Sequence, residues 1–206
     1  MRPSVQTPST SETMRRIEDA SGTGRMVHER MHRTTSRALV AGLIAVVVAL
    51  AVIAVAFPLL RHPLLLLALR MQTPAARLPV PVDGVSRRQL TDSWGSPRPG
   101  RRHHEGIDIF AKRGTPIRST TAGIVLYVGD NSLGGHVVEI LGPAFERHYY
   151  AHLDSFANVH AGDAVTPGTL LGYVGNTGDA STTPTHLHYG IYSGVRTAHN
   201  PYERLR

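Results

Sequence analysis

The chain has no cysteine, which excludes a disulfide framework, a thiol nucleophile and every cysteine-based zinc site. Any metal must then be held by histidine, carboxylate or water. Lysine is nearly absent, with Lys112 alone in the sequence. Acidic residues are scarce too, 15 against 22 lysines and arginines, for a formal charge of +7. The surplus sits on scattered arginines without an aromatic-rich or helical basic stripe, so nucleic acid is not an expected partner. Attraction to anionic membranes or cell-wall polymers remains compatible with it.

What is present is enough for one ordinary domain and an appendage, 206 residues in all. The appendage is legible as a run from Ala38 to Leu60, "ALVAGLIAVVVALAVIAVAFPLL", with no charged side chain. As a helix it reaches about 34 Å, enough to cross a hydrocarbon core of about 30 Å. The sequence thus predicts one transmembrane helix over 38–60. Arg15, Arg16, Arg25, Arg30, Arg33 and Arg37 precede it, which places the N-terminus in the cytoplasm and the rest of the chain outside. Ala54-Val55-Ala56 fits a signal-peptide cleavage site, but the apolar run is longer than the usual h-region of about 7–15 residues and favours an uncleaved anchor. Residues 1–37 read as a polar, disordered cytoplasmic tail. Pro58 and Pro63 are expected to end the helix, and 61–78 reads as a linker.

From 79 to 206 the pattern changes to short β-type runs, "GIDIF", "AGIVLYVG", "HVVEIL", "RHYYAHL", "LLGYVG" and "HLHYGIY", bounded by Gly-, Pro-, Asn- and Asp-rich turns. The expected fold is all-β, an antiparallel sandwich or barrel-like catalytic domain. Strand alternation says which side chains meet. Ile107 and Ile109 face inward and Asp108 outward, with His104 able to share the Asp108 side. In the same way Leu187, Tyr189 and Ile191 face inward while His186 and His188 share the other face. A third strand brings His152, with alternation putting Tyr150 on its side. Histidines and a carboxylate with one position open suit a catalytic zinc. Spacing alone does not say which histidine of H-L-H would be the ligand.

The order H-x-x-x-D, Y-A-H-L, H-L-H, with the glycine turns between, resembles the lysostaphin/LytM-type zinc metalloendopeptidases of bacterial peptidoglycan. The likeness runs from "LPVPVDGV" through "DSWGSPRPGRRHHEGIDIFAKRGTPI", "YYAHLD", "GDAVTPGTLLGYVGNTGDA" and "HLHYGIY" to "NPYERL". It implies that His104, Asp108 and His188 bind Zn2+, that His152 and His186 are unligated catalytic histidines, and that the substrate is a cross-link or stem peptide of peptidoglycan. Thr185, Asp179 and His136 depart from the family's usual residues, which bears on cleft shape and substrate preference. A non-hydrolytic cell-wall regulator that binds or activates amidases is the alternative, since some relatives have lost their ligands. Likeness of "GDAVTPGTLLG" to lipoyl or biotinyl carriers fails because Lys112 is far from that segment.

The remaining histidines carry no role in this reading. His103 points away from its neighbour His104, and His148, His160 and His199 sit in polar, turn-like settings expected to be solvated. Glu105 lacks the H-E-x-x-H helix that would make it a general base.

Overall fold

The computed structural model describes residues 10–195 and 197–206, which divide into two units between His62 and Pro63. The first unit is helical. Helix α1, Thr10–Met71, begins there and takes in residues 10–37 of the segment read as a disordered tail, whose residues 1–9 lie outside the described residues. Leu43, Val47, Val52 and Phe57 on it are all exposed. No single helix among the described residues is long and apolar enough to cross a membrane; Ala41–Phe57 and Leu59–Met71 meet the requirement only as a bent pair. The one continuous span expected at 38–60 is therefore not seen. Nor does the helix end at Pro58 or Pro63: it bends between Phe57 and Leu59 and continues to Met71. Proline removes one backbone donor and crowds the preceding turn, and a kink is the alternative to termination.

The second unit is the expected antiparallel β domain. Its strands are β1 (Pro97–Arg98), β2 (Arg102–His103), β3 (Ile107–Phe110), β4 (Pro116–Arg118), β5 (Gly123–Asn131) and β6 (Gly135–Leu141). They are followed by β7 (Arg147–Phe156), β8 (Ala164–Val165), β9 (Leu170–Val174), β10 (His186–Ser193) and β11 (Thr197–His199), and the chain ends in a short helix α2 (Tyr202–Leu205). β1 and β2 form a separate hairpin; the main sheet runs β11-β10-β7-β6-β5-β8, with β3 on β10 and with β9 joining β4 and β7.

Alternation decides what this sheet buries. Leu187, Tyr189 and Ile191 of β10 are fully buried, as are Ile107 of β3 and Ile140 of β6. They join one core with Leu78, Val82, Leu153, Leu171 and Leu205. Each such side chain contributes about 1.5–3 kcal/mol by leaving water. The opposite face of β3, β7 and β10 is left to polar residues, and the site is built there.

Polar groups also enter the core, where the hydroxyls and His148 Nδ1 are paired with one another. The Thr120 hydroxyl lies 2.9 Å from Tyr150 Oη and 2.8 Å from Tyr189 Oη, and His148 Nδ1 lies 2.7 Å from Tyr189 Oη. His148 is not solvated, as its polar neighbours suggested, but fully buried. It stands two residues before Tyr150 on β7 and therefore shares the face that Tyr150 turns to the core. Its Nε2 has no hydrogen-bond partner among the described residues. Burial, reinforced by the Arg204 charge, pushes its pKa from the ordinary 6.5 down to about 3. The unfolded chain therefore takes up a proton near pH 6.5 that the folded domain refuses until about pH 3. Stability from this group is complete above pH 6.5 and falls through the window down to about 3. Urea midpoints of the full chain across that range should fall less steeply in His148→Gln than in the wild type. Equal slopes would contradict the assignment.

Candidate active site and metal centre

The site begins with a register. β3 and β10 run antiparallel with His188 directly opposite Asp108 and Leu187 opposite Ile109. Direct partners point to the same face, so the pairing that buries the apolar residues also presents Asp108 beside His188. His104 lies just before β3, its backbone held by hydrogen bonds between Gly95, Ser96 and His104. His104 Nε2 comes 2.8 Å from His188 Nδ1 and 3.0 Å from Asp108 Oδ1, and His188 Nδ1 is 3.2 Å from the same oxygen. The three expected ligand residues thus bring one donor atom each to a single point.

The donor set fits a zinc ion. His104 Nδ1 is 2.8 Å from the Ser93 carbonyl, which can only accept, so the proton sits on Nδ1 and the Nε2 lone pair faces inward. Such outer hydrogen bonds orient metal-binding histidines. Burial pushes the His188 pKa down, against the pull of Asp108, and favours the neutral imidazole a metal needs. Burial alone would raise the Asp108 carboxyl, but the adjoining His104 and His188 rings and the Arg98 guanidinium outweigh it and hold the group far below the carboxylate range. Two imidazoles and one carboxylate are a hydrolase-type zinc shell.

His152 and His186 stand beside this point rather than in it. Their rings lie 5.0 Å apart by centroids, and His152 is 5.9 Å from the ring of His188. His186 Nε2 is 3.7 Å from Asp108 Oδ1. Each is oriented by a carbonyl: His152 Nδ1 donates to Thr177 O at 2.8 Å and His186 Nδ1 to Pro184 O at 2.8 Å. Both therefore keep a lone pair on Nε2. Burial pushes the His152 pKa down to about 4, partly opposed by the Thr177 carbonyl, so at neutral pH it is an unprotonated base.

The groove over these residues has a volume of about 430 Å³. Tyr149, Tyr192, Arg98, Arg102 and Asp179 line it; of these only Asp179 was singled out in the sequence, as a departure bearing on cleft shape. Tyr149, not Tyr150, faces the groove, meeting the His188 ring edge-on at 6.0 Å. Alternation fails here because His152 has a left-handed backbone, φ +64, which shifts the phase of β7 by one residue. Tyr192 could have been found by counting four residues from His188 along one strand face. His103 and Glu105 are exposed at the rim, and His160 and His199 are exposed elsewhere.

With this geometry established, known proteins give the class. The pattern of Peptidase family M23 matches residues 102–201, the segment holding all five residues of the site. The chain belongs to peptidase family M23. Among curated relatives, the L-Ala--D-Glu endopeptidase of Bacillus subtilis (strain 168) is 41% identical over 125 residues, 55% of this chain and 38% of that protein. The glycyl-glycine endopeptidase ALE-1 of Staphylococcus capitis is 37% identical over 89 residues, 42% of this chain and 24% of that protein. The chain therefore spans well under half the length of either relative. A solved catalytic-domain mutant of the prophage-encoded M23 protein EnpA from Enterococcus faecalis is 31% identical, with a TM-score of 0.51, over 62% of this chain and 96% of that one.

One glycine controls the fit of His188. A Cβ at Gly106 would lie 2.6 Å from the Tyr189 carbonyl oxygen and 2.7 Å from His188 Cε1. The carbonyl belongs to the strand that carries the ligand and has nowhere to go. Gly106→Ala should weaken zinc binding about 10–100-fold, the scale of disturbed ligand support, as measured by competition with a chromogenic chelator. An unchanged affinity would overturn this role for Gly106.

Proposed function

We propose that the chain is a zinc-dependent endopeptidase that hydrolyses peptide cross-links or stem peptides of bacterial peptidoglycan. The observation that carries this reading is the convergence of His104 Nε2, Asp108 Oδ1 and His188 Nδ1 beside two histidines whose Nε2 lone pairs are unused. His104, Asp108 and His188 hold the metal. Zinc, when bound, lowers the pKa of water and polarises a carbonyl. The protein's own groups handle the protons. His152 and His186 accept a proton at Nε2 from the attacking water and, once protonated, stabilise the developing oxyanion or supply the leaving amine. Their Nδ1 bonds to Thr177 and Pro184 keep the rings from turning as the charge appears. The walls formed by Tyr149 and Tyr192 limit water around the scissile bond, which strengthens every charge interaction in the groove.

Residues 38–60 act as a membrane anchor with the N-terminus cytoplasmic and the catalytic domain outside, on the periplasmic or outer face. The exposed apolar side chains of that segment and the arginines before it support this placement. Peptidoglycan lies on the same side. The named substrates of the relatives, an L-Ala–D-Glu bond and a glycyl-glycine bond, support peptidoglycan peptides as the substrate class.

His188→Ala should lose both bound zinc and the release of soluble fragments from purified sacculi. His152→Ala should keep its zinc and lose about 10²–10⁴-fold in kcat, the scale of general-base removal. Elemental analysis and turbidity loss, with and without chelator, read both. Zinc-loaded wild type that leaves sacculi intact would instead favour the amidase-regulating alternative.

A further inference from the structure

The hairpin β1–β2 pairs Arg98 directly with Arg102. Like charges directly opposite each other destabilise a strand pair, yet both side chains line the groove above the metal residues. Each is met by a carboxylate of the chain: Arg98 bonds Asp108, and Arg102 lies 3.5 Å from Asp179. The two pairs differ in kind. Asp108 is largely buried and committed to the metal site. Arg102 and Asp179 are each 47% exposed, so their pairing contributes little to stability and is cheap to exchange.

Asp179 comes from the facing wall and is held in place. Its backbone N–H donates to Leu133 O at 3.0 Å. Gly178 before it has φ +72, and a Cβ there would lie 2.3 Å from Gly135 N. Its Oδ1 is 3.9 Å from His152 Nε2. A carboxylate therefore stands in the groove between a guanidinium and a candidate catalytic histidine. Exchange of Asp179 for a peptide carboxylate would leave Arg102 paired in the same way. Guanidinium is suited to this, because its planar fork matches a carboxylate.

We propose that Arg102, with Arg98 opposite it on the hairpin, forms a subsite for a carboxylate on the residue flanking the cleaved bond, and that Asp179 stands in for that carboxylate here. The inference rests on the peptidase reading above and sharpens it: the substrate is an acidic stem peptide rather than a neutral glycine bridge. Asp179 also competes with the substrate carboxylate for Arg102 and so reduces the preference for an acidic peptide.

Peptides containing L-alanyl-D-glutamate, with the glutamate carboxylate either free or converted to the carboxamide, test this on the full zinc-loaded chain. Wild type should favour the free acid in kcat/KM by about tenfold or more, the scale of one charge-assisted hydrogen bond. Arg102→Gln should bring the ratio toward one, and Asp179→Asn should raise it. Dissociation constants for the same two peptides on the metal-stripped chain give the ratio without turnover. A ratio near one in wild type, or an equal loss on both peptides in Arg102→Gln, overturns the subsite. Sacculus digestion with a ratio near one removes the subsite and leaves the peptidase. A tenfold preference in binding without any digestion removes the peptidase and leaves the subsite.

Discussion

The antiparallel pairing that sets His188 across from Asp108 is the constraint on which the site depends. A slip of one residue would turn Leu187, Tyr189 and Ile191 to solvent and bury both histidines without partners. The core and the candidate metal centre are therefore enforced by the same register. Tyr150 and Tyr189, packed against each other at 5.2 Å beneath the site, bury the back of the strands whose front carries the chemistry. Replacing residues on either face tests the other, because the strands cannot shift for one alone.

Within that frame the two classes of histidine are separated by what holds them. His104 and His188 lie within hydrogen-bond distance of each other and of Asp108, an arrangement of lone pairs that calls for a shared proton or a cation. His152 and His186 are tied by Nδ1 to backbone carbonyls at the groove wall. The positive φ of His152 costs backbone energy of the order of 1–3 kcal/mol, and its effect is to turn the imidazole into the groove from a strand whose regular alternation would have turned it away. The hydrogen bond from His152 N–H to Gly134 O, 2.8 Å long, holds that conformation. Strain at this position and the histidine's depressed pKa have one outcome, a neutral imidazole beside the candidate metal ligands.

Much of this was legible in the sequence, and the reasons it stopped where it did are physical. Period-two alternation reads Ile107, Asp108 and Ile109, or Leu187, His188 and Tyr189, because one face of each strand is buried. It fails at His152, since a left-handed residue leaves no mark in a pattern of polar and apolar letters. That failure exchanged Tyr149 for Tyr150. His148 was misread through its polar neighbours: its spacing puts it on the face of Tyr150, and only the phase shift at His152 makes that face the buried one. The arginine hairpin was missed because two-residue strands have no period; the Pro99-Gly100 turn between Arg98 and Arg102 was the available signal. The membrane reading followed composition, while the helix through 38–60 is bent and runs beyond it. Distinguishing His188 from His186 needed either family likeness or coordinates, as both share one strand face.

The most direct test of the central claim is zinc K-edge absorption of the purified chain together with its metal stoichiometry. One zinc per chain is expected, with two imidazole ligands and oxygen for the remainder, and one imidazole fewer in a His104→Ala sample that still retains metal. A site with four imidazoles would mean that His152 and His186 are ligands and not free bases. No stoichiometric zinc at all would mean that His104, Asp108 and His188 do not form a metal site.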